Sequence, residues 1–229
     1  MCNYTWLLDP GHGGIINGVY QTAGKRSPKF PDGSVLYEGV FNREVVRMVL
    51  NLCGGLKVDG SPFTRQENVL CGRHAGQGPK KYAAINVVDT EEDMPLRQRV
   101  SIANKLHKEN KNCIYVSVHA NAFGNGKEFN SAGGVCSFHH YKSAVGKKLA
   151  ETLQPHLAFF TGFKDRGIFG NDRWANFYVL RKTHMPAVLS ENGFMTNYND
   201  ASALMEMSVK EAIAHAHFAM IQEIEENGF

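Results

Sequence analysis

Short β-rich runs that end on chemically active residues alternate with helix-period stretches along this chain, and that alternation restricts the fold more than any other feature. Tyr4 to Leu8 reads as a buried strand that stops at the Pro-Gly turn signal of LLDPGHGG. Cys113 to Val118, CIYVSV, is a second such run, and it delivers His119 to its end ahead of the glycine-bearing loop AFGNGKEFNSAGG. Further strands are expected at Ala83 to Val88, Gly134 to Phe138, Phe177 to Leu180 and Ala187 to Leu189, with Glu191 directly after the last. Helices fall between them. Asn42 to Cys53 places Val45, Val46, Val49 and Leu50 on one face, and Pro95 opens a helix to about Lys108 with Leu96, Val100, Ala103 and Leu106 inward. Ala144 to Leu157 repeats Val145, Leu149, Leu153 and Leu157. Near the C-terminus, Ser208 and Glu211 have capping-box spacing ahead of a stripe of Val209, Ile213, Ala216, Met220 and Ile224. Strands alternating with helices imply an α/β fold, a twisted and mostly parallel sheet with helices on both faces. With 229 residues, 43% of them hydrophobic, the chain suffices for one such domain over 1–229.

Other features narrow the class. Gly54 to Lys81 mixes glycine, charge and isolated apolar residues without a period, so 54–82 is expected to be an insertion within a single domain. The formal charge is only +3, and no Lys/Arg block interleaves with aromatics, so no nucleic-acid partner is expected. Five scattered cysteines without a CxxC pair suggest reduced thiols rather than a disulfide framework or thiolate metal site. Nor does the chain hold an apolar run of about 18 residues, so no membrane span is expected. Its N-terminus shows no basic and apolar leader, so the expectation is synthesis in the cytoplasm without a signal peptide.

In sheets of this kind ligands bind outside the carboxyl ends of the strands, and His12, His119 and Glu191 fall at that edge. A catalytic zinc prefers imidazole and carboxylate, with three ligands from protein and a fourth position for water. His12 and His119 are candidates for two of the three, and Glu38 in LYEGVFN, just before a helix, for the third. The glycines around His12 would leave room for a metal and substrate. Each residue also has an ordinary alternative. A glycine-rich loop after a strand can cradle phosphate, although DPGHGG lacks the Lys-Ser/Thr that follows in such loops. His119 suits a structural role, Glu38 a helix-start carboxylate, and Glu191 a turn acceptor. Asp9 suits either a hydrogen bond to the second nitrogen of His12 or a turn role before proline.

Taken together, DPGHGG (9–14), YEG (37–39), LRQRVSIAN (96–104), VSVHANA (116–122), RGIF (166–169) and VLRKTHMPAVLSENGF (179–194), with Asn197, resemble one family in order and over most of the chain. That family is the zinc-dependent N-acetylmuramoyl-L-alanine amidases of the type 3 domain, which cut peptidoglycan. The resemblance implies one Zn2+ held by His12, Glu38 and His119, with Glu191 as acid/base. Asn121 and Arg181 lie beside motif residues as candidates for holding sugar or peptide groups. Two features depart from the family. Its Thr-Arg pair is replaced by Asp89-Thr90, with a Thr-Arg instead at Thr64-Arg65, and Ser190 stands where family members often have Val. The competing readings are a zinc peptidase or carboxypeptidase on wall peptides, or a non-catalytic wall-binding module. Peptidase sites commonly place their first two ligands a few residues apart, whereas His12 and Glu38 are widely separated, which favours the amidase. The loop after His119 is too short and glycine-broken for an autoinhibitory helix, so no activator protein is expected. Action on the wall or periplasm would require release through a membrane lesion or another export route.

Overall fold

The structure, a computed structural model, describes residues 2–54, 82–170 and 176–229. Its strands are β1 (Thr5–Pro10), β2 (Ile15–Ile16), β3 (Val19–Tyr20), β4 (Ala83–Asn86), β5 (Cys113–Asn121), β6 (Val135–His139), β7 (Asp165–Phe169) and β8 (Ala187–Phe194). The helices are α1 (Glu38–Cys53), α2 (Leu96–Asn110), α3 (Ala144–Thr161), α4 (Tyr178–Lys182), α5 (Tyr198–Met205) and α6 (Met207–Asn227). One sheet carries the fold in the order β4-β1-β5-β8-β6-β7, while β2 and β3 form a small hairpin. The pairs β1–β4, β1–β5, β5–β8 and β6–β7 are parallel, and β6 meets β8 antiparallel. The fold is therefore α/β, with a mostly parallel sheet.

Alternation along the strands builds a core on each face. Trp6 and Leu8 of β1, with Ile114, Val116 and Val118 of β5, pack beneath α1, α3 and α6. Leu7 and Tyr115 point the other way, beneath α2 and α4. The same period-two rule aims Asp9, Ser117, His119 and Glu191 toward the α2 side, since side chains two apart share a face. Register then aligns them: Asp9 lies opposite Ser117, and His119 opposite Glu191. The first strand is tied to the last helix by Glu225, which accepts from the Trp6 indole at 2.9 Å and from the Asn3 amide at 2.7 Å.

Several sequence expectations shift. Phe177 to Leu180 is not a strand: Tyr178–Lys182 forms a helical turn, leaving Val179 and Leu180 buried against the sheet. β8 runs on through Glu191 to Phe194, so the carboxylate sits within a strand rather than after it. The strand β7 was not expected. Ser208 does not cap the last helix, because α6 begins at Met207 with Glu206 as its N-cap and no side-chain cap bond. Leu96 is 52% exposed rather than inward. Most of the expected insertion at 54–82 lies outside the described residues, and residues 122–134 form a loop without helix. No helix among the described residues is long and apolar enough to cross a membrane.

Candidate metal centre

The chain leaves β1 at Pro10 and turns sharply, with His12 in the left-handed region at φ 65°. Such a conformation costs a non-glycine residue of the order of 1–3 kcal/mol and persists only when its surroundings fix it. Two buried arginines do so. Arg43 Nη1 and Arg99 Nη2 both donate to the His12 carbonyl, at 2.8 and 2.9 Å. Arg43 reaches on to the carbonyls of Gly39 and Thr90, and Arg99 to those of Met94 and Pro10, so one clamp joins the loop to α1 and to the start of α2.

Into this frame come three ligand atoms. Glu38, first residue of α1 and 1% exposed, places Oε1 3.2 Å from His12 Nε2 and 3.1 Å from His119 Nδ1. The ligand atoms of the three residues all lie within 4.8 Å of one another. Ligands at the usual bond lengths around a tetrahedral zinc are about 3.3 Å apart, close to the two Glu38 separations. The other Glu38 oxygen, Oε2, is buried and has no hydrogen-bond partner in the protein. A buried carboxylate with one oxygen unpartnered and two convergent imidazoles suits a divalent cation, because a cation answers the charge and the missing contact together. These residues can therefore hold a metal.

Glycine is required here by close approach. A Cβ on Gly11 would sit 2.1 Å from His119 Cε1, and one on Gly39 would sit 1.9 Å from the Gly13 carbonyl oxygen. The side-chain-free loop around His12 thus lets the second imidazole and the start of α1 press against it.

Electrostatics sort the two acids. Burial opposes the charge on Glu38, but hydrogen bonds and attraction from His119 and His12 hold its carboxyl well below the usual range. Burial also disfavours charge on His119, and the Glu38 carboxylate outweighs it and raises the imidazole pKa. Glu191 behaves oppositely. Burial pushes it up to about 8, with His119 pulling it down, Glu38 pushing it up and Lys25 pulling it down. Its Oε2 is likewise buried without a partner. Glu38, His12, His119 and Glu191 line one cavity of about 520 Å³ together with Lys25 and Asn121, and Leu96, Val179 and Leu189 are among its apolar lining residues.

The remaining sequence candidates divide. Asp9 does not hydrogen-bond His12: it is buried among Arg99 Nη1 at 2.6 Å, Tyr115 Oη at 2.7 Å and Ser117 Oγ at 2.8 Å. Strand pairing rather than chain proximity chooses its partners. Arg181 lies on α4, donates to Asn176 Oδ1 at 2.9 Å, and borders a different cavity with His140 and Met185. Arg43, Arg99, Ser117 and Lys25 were not singled out from sequence. Arg99 falls inside LRQRVSIAN, the one signal that pointed at it.

A family profile described as N-acetylmuramoyl-L-alanine amidase matches residues 76–223, a span that holds His119 and Glu191. His12 and Glu38 precede it. An uncharacterized cell wall amidase of Bacillus anthracis is 32% identical over 226 residues, covering 95% of this chain and 34% of that protein. The N-acetylmuramoyl-L-alanine amidase LytC of Bacillus subtilis is 36% identical over 217 residues, covering 93% of this chain and 34% of its own length. The chain thus spans about a third of the length of these curated relatives. Among solved structures, an N-acetylmuramoyl-L-alanine amidase from Clostridium difficile 630 superposes with a TM-score of 0.72 at 23% identity, covering 100% of both chains, which supports the fold. The profile match extends over more than half of the sequence, and the chain belongs to the N-acetylmuramoyl-L-alanine amidase family.

Proposed function

We propose that this chain hydrolyses the amide between the lactyl group of N-acetylmuramic acid and the L-alanine of the peptidoglycan stem peptide, using one zinc ion held by His12, Glu38 and His119. The observation that carries this reading is the convergence of those three side chains with the Glu191 carboxyl on the wall of one cavity. When bound, zinc supplies Lewis acidity and lowers the pKa of a coordinated water to about 7. Glu191 is the acid/base. It accepts the proton of the attacking water and delivers it to the departing alanine nitrogen, since an amide nitrogen leaves only once protonated. A carboxyl whose pKa stands near neutrality is suited to both halves of that transfer. Asn121, on the cavity wall beside His119, holds a sugar or peptide amide.

Digestion of purified peptidoglycan, with and without a chelator and with mass spectrometry of the fragments, tests this reading. The expected products are glycan with free lactyl carboxylates and stem peptides with a free L-alanine amine, both abolished by chelation and restored by zinc. Shortened stem peptides still attached to glycan would establish the peptidase reading instead, and binding to sacculi without cleavage would establish a non-catalytic module.

A further inference from the structure

The side of His119 turned away from the metal cluster carries a chain of hydrogen bonds whose polarity is fixed from its far end. Asp9 is buried, and burial opposes its charge. Arg99 and Tyr115 nevertheless hold its pKa below the ordinary value, so it is a carboxylate that only accepts. Oδ1 takes the Arg99 bond, and Oδ2 takes the hydroxyls of Tyr115 and Ser117. Ser117 has one proton, and it is committed to Asp9 at 2.8 Å. Only lone pairs of Ser117 Oγ then face His119 Nε2, 3.2 Å away, so that nitrogen must be the donor. Nδ1 is the ring atom that meets the Glu38 carboxylate, at 3.1 Å, and a cation held there takes the place of its proton. The ring is also blocked from behind by the backbone at Gly11, where a Cβ would fall within 2.6 Å of three ring atoms.

We propose that Ser117 and Asp9 form a relay that fixes His119 as its Nε2–H tautomer and so presents Nδ1 to the metal. They are positioning residues, acting through His119 without touching the ion. A carboxylate bonded directly to a metal-bound imidazole is the common arrangement; here a serine hydroxyl is interposed, because Asp9 and Ser117 sit opposite each other in the β1–β5 register and His119 follows two residues later on the same face. Among the described residues His12 has no counterpart to this relay, so the site they form is asymmetric. The inference rests on the zinc reading above.

Zinc affinity by chelator competition and the His119 tautomer by long-range ¹H–¹⁵N spectra of the zinc-loaded protein provide the test. Wild type is expected to show Nε2 protonated and Nδ1 metal-bound. Ser117→Ala is expected to lose about 10–100-fold in zinc affinity, the usual effect of removing an outer partner of a ligand. Tyr115→Phe removes a different Asp9 bond and leaves the link to His119 intact, so its affinity should stay near wild type. Zinc bound through Nε2 in wild type would refute the relay even if Ser117→Ala failed to fold, as would a folded Ser117→Ala with undiminished affinity. Either result would leave the zinc reading standing. A wild-type chain that retains no zinc would refute that reading, and the relay with it.

Discussion

On the face of the sheet opposite the candidate site, Ser190 meets a histidine that acidification should turn against the fold. His217 on α6 is 1% exposed. Its Nδ1 donates to the Ile213 carbonyl at 2.8 Å, and its Nε2 accepts from Ser190 Oγ at 2.9 Å. Ser190 in turn accepts from Asn192, whose amide also donates to the His119 carbonyl at 2.9 Å. Burial lowers the His217 pKa from 6.5 to about 4. Between those values the unfolded chain binds a proton that the folded chain refuses. The stability His217 contributes is therefore complete above pH 6.5 and is lost as pH falls toward 4. At about 1.36 kcal/mol per pH unit the whole window is worth roughly 3 kcal/mol, and the part between pH 7 and pH 5 about 2 kcal/mol.

Urea unfolding of the wild type and of His217→Gln at pH 7, 6 and 5 measures this. Glutamine keeps an acceptor for Ser190 but does not titrate, so the wild type should lose about 2 kcal/mol more than the variant over that range. The comparison cancels His119, whose raised pKa acts with the opposite sign, its stabilisation being present at low pH and lost as pH rises. Two stability profiles that run parallel from pH 7 to pH 5 would refute the reasoning.

Three further outcomes follow from the geometry. Glu191→Gln should keep zinc, measured by metal analysis after gel filtration, while peptidoglycan turnover falls by about 10²–10⁴-fold. Gly39→Ala forces a Cβ against the Gly13 carbonyl at 1.9 Å, so the start of α1 must shift, and urea titration should show a loss of about 1–3 kcal/mol together with weaker zinc binding. Glu225→Ala strands the buried Trp6 indole N–H, a cost of about 1–3 kcal/mol that calorimetry would register as a lower Tm.

The sheet was legible in sequence because β1 and β5 are buried on both faces and read as mostly apolar runs. β7, DRGIF, escaped notice: it is an edge strand with an exposed, charged start, so its composition does not look like a strand. The opposite error at Phe177 to Leu180 arose because a one-turn helix packed on its apolar side shows the same short apolar run as a strand. Ser208 and Glu211 have the right spacing for a cap, but α5 ends at Met205 and α6 starts at Met207, so no extended residue is left at Ser208 to do the capping. Leu96 fits the helical stripe by period, yet it sits on the first turn, past the sheet, where the stripe opens onto the cavity wall.

The three candidate ligands, which sequence did offer, contrast with the residues that hold them, which it did not. A histidine beside glycines and a glutamate before a helix are local signals. The arginine clamp on the His12 carbonyl and the Asp9–Ser117 bond exist only after β1, β5, α1 and α2 have come together, and no window of sequence contains them. Sequence proximity even misdirects, since Asp9 lies three residues from His12 but faces the opposite imidazole's support. A strand exposes alternate side chains to one layer, whereas His12 lies beyond the strand on a loop that has already turned. Support for a ligand is thus drawn from whatever the register sets across from it. Arginine at 99 and serine at 117 are consequently tied to His12 and His119 by hydrogen bonds at 2.9 and 3.2 Å, so changes at those distant positions should disturb the two imidazoles directly.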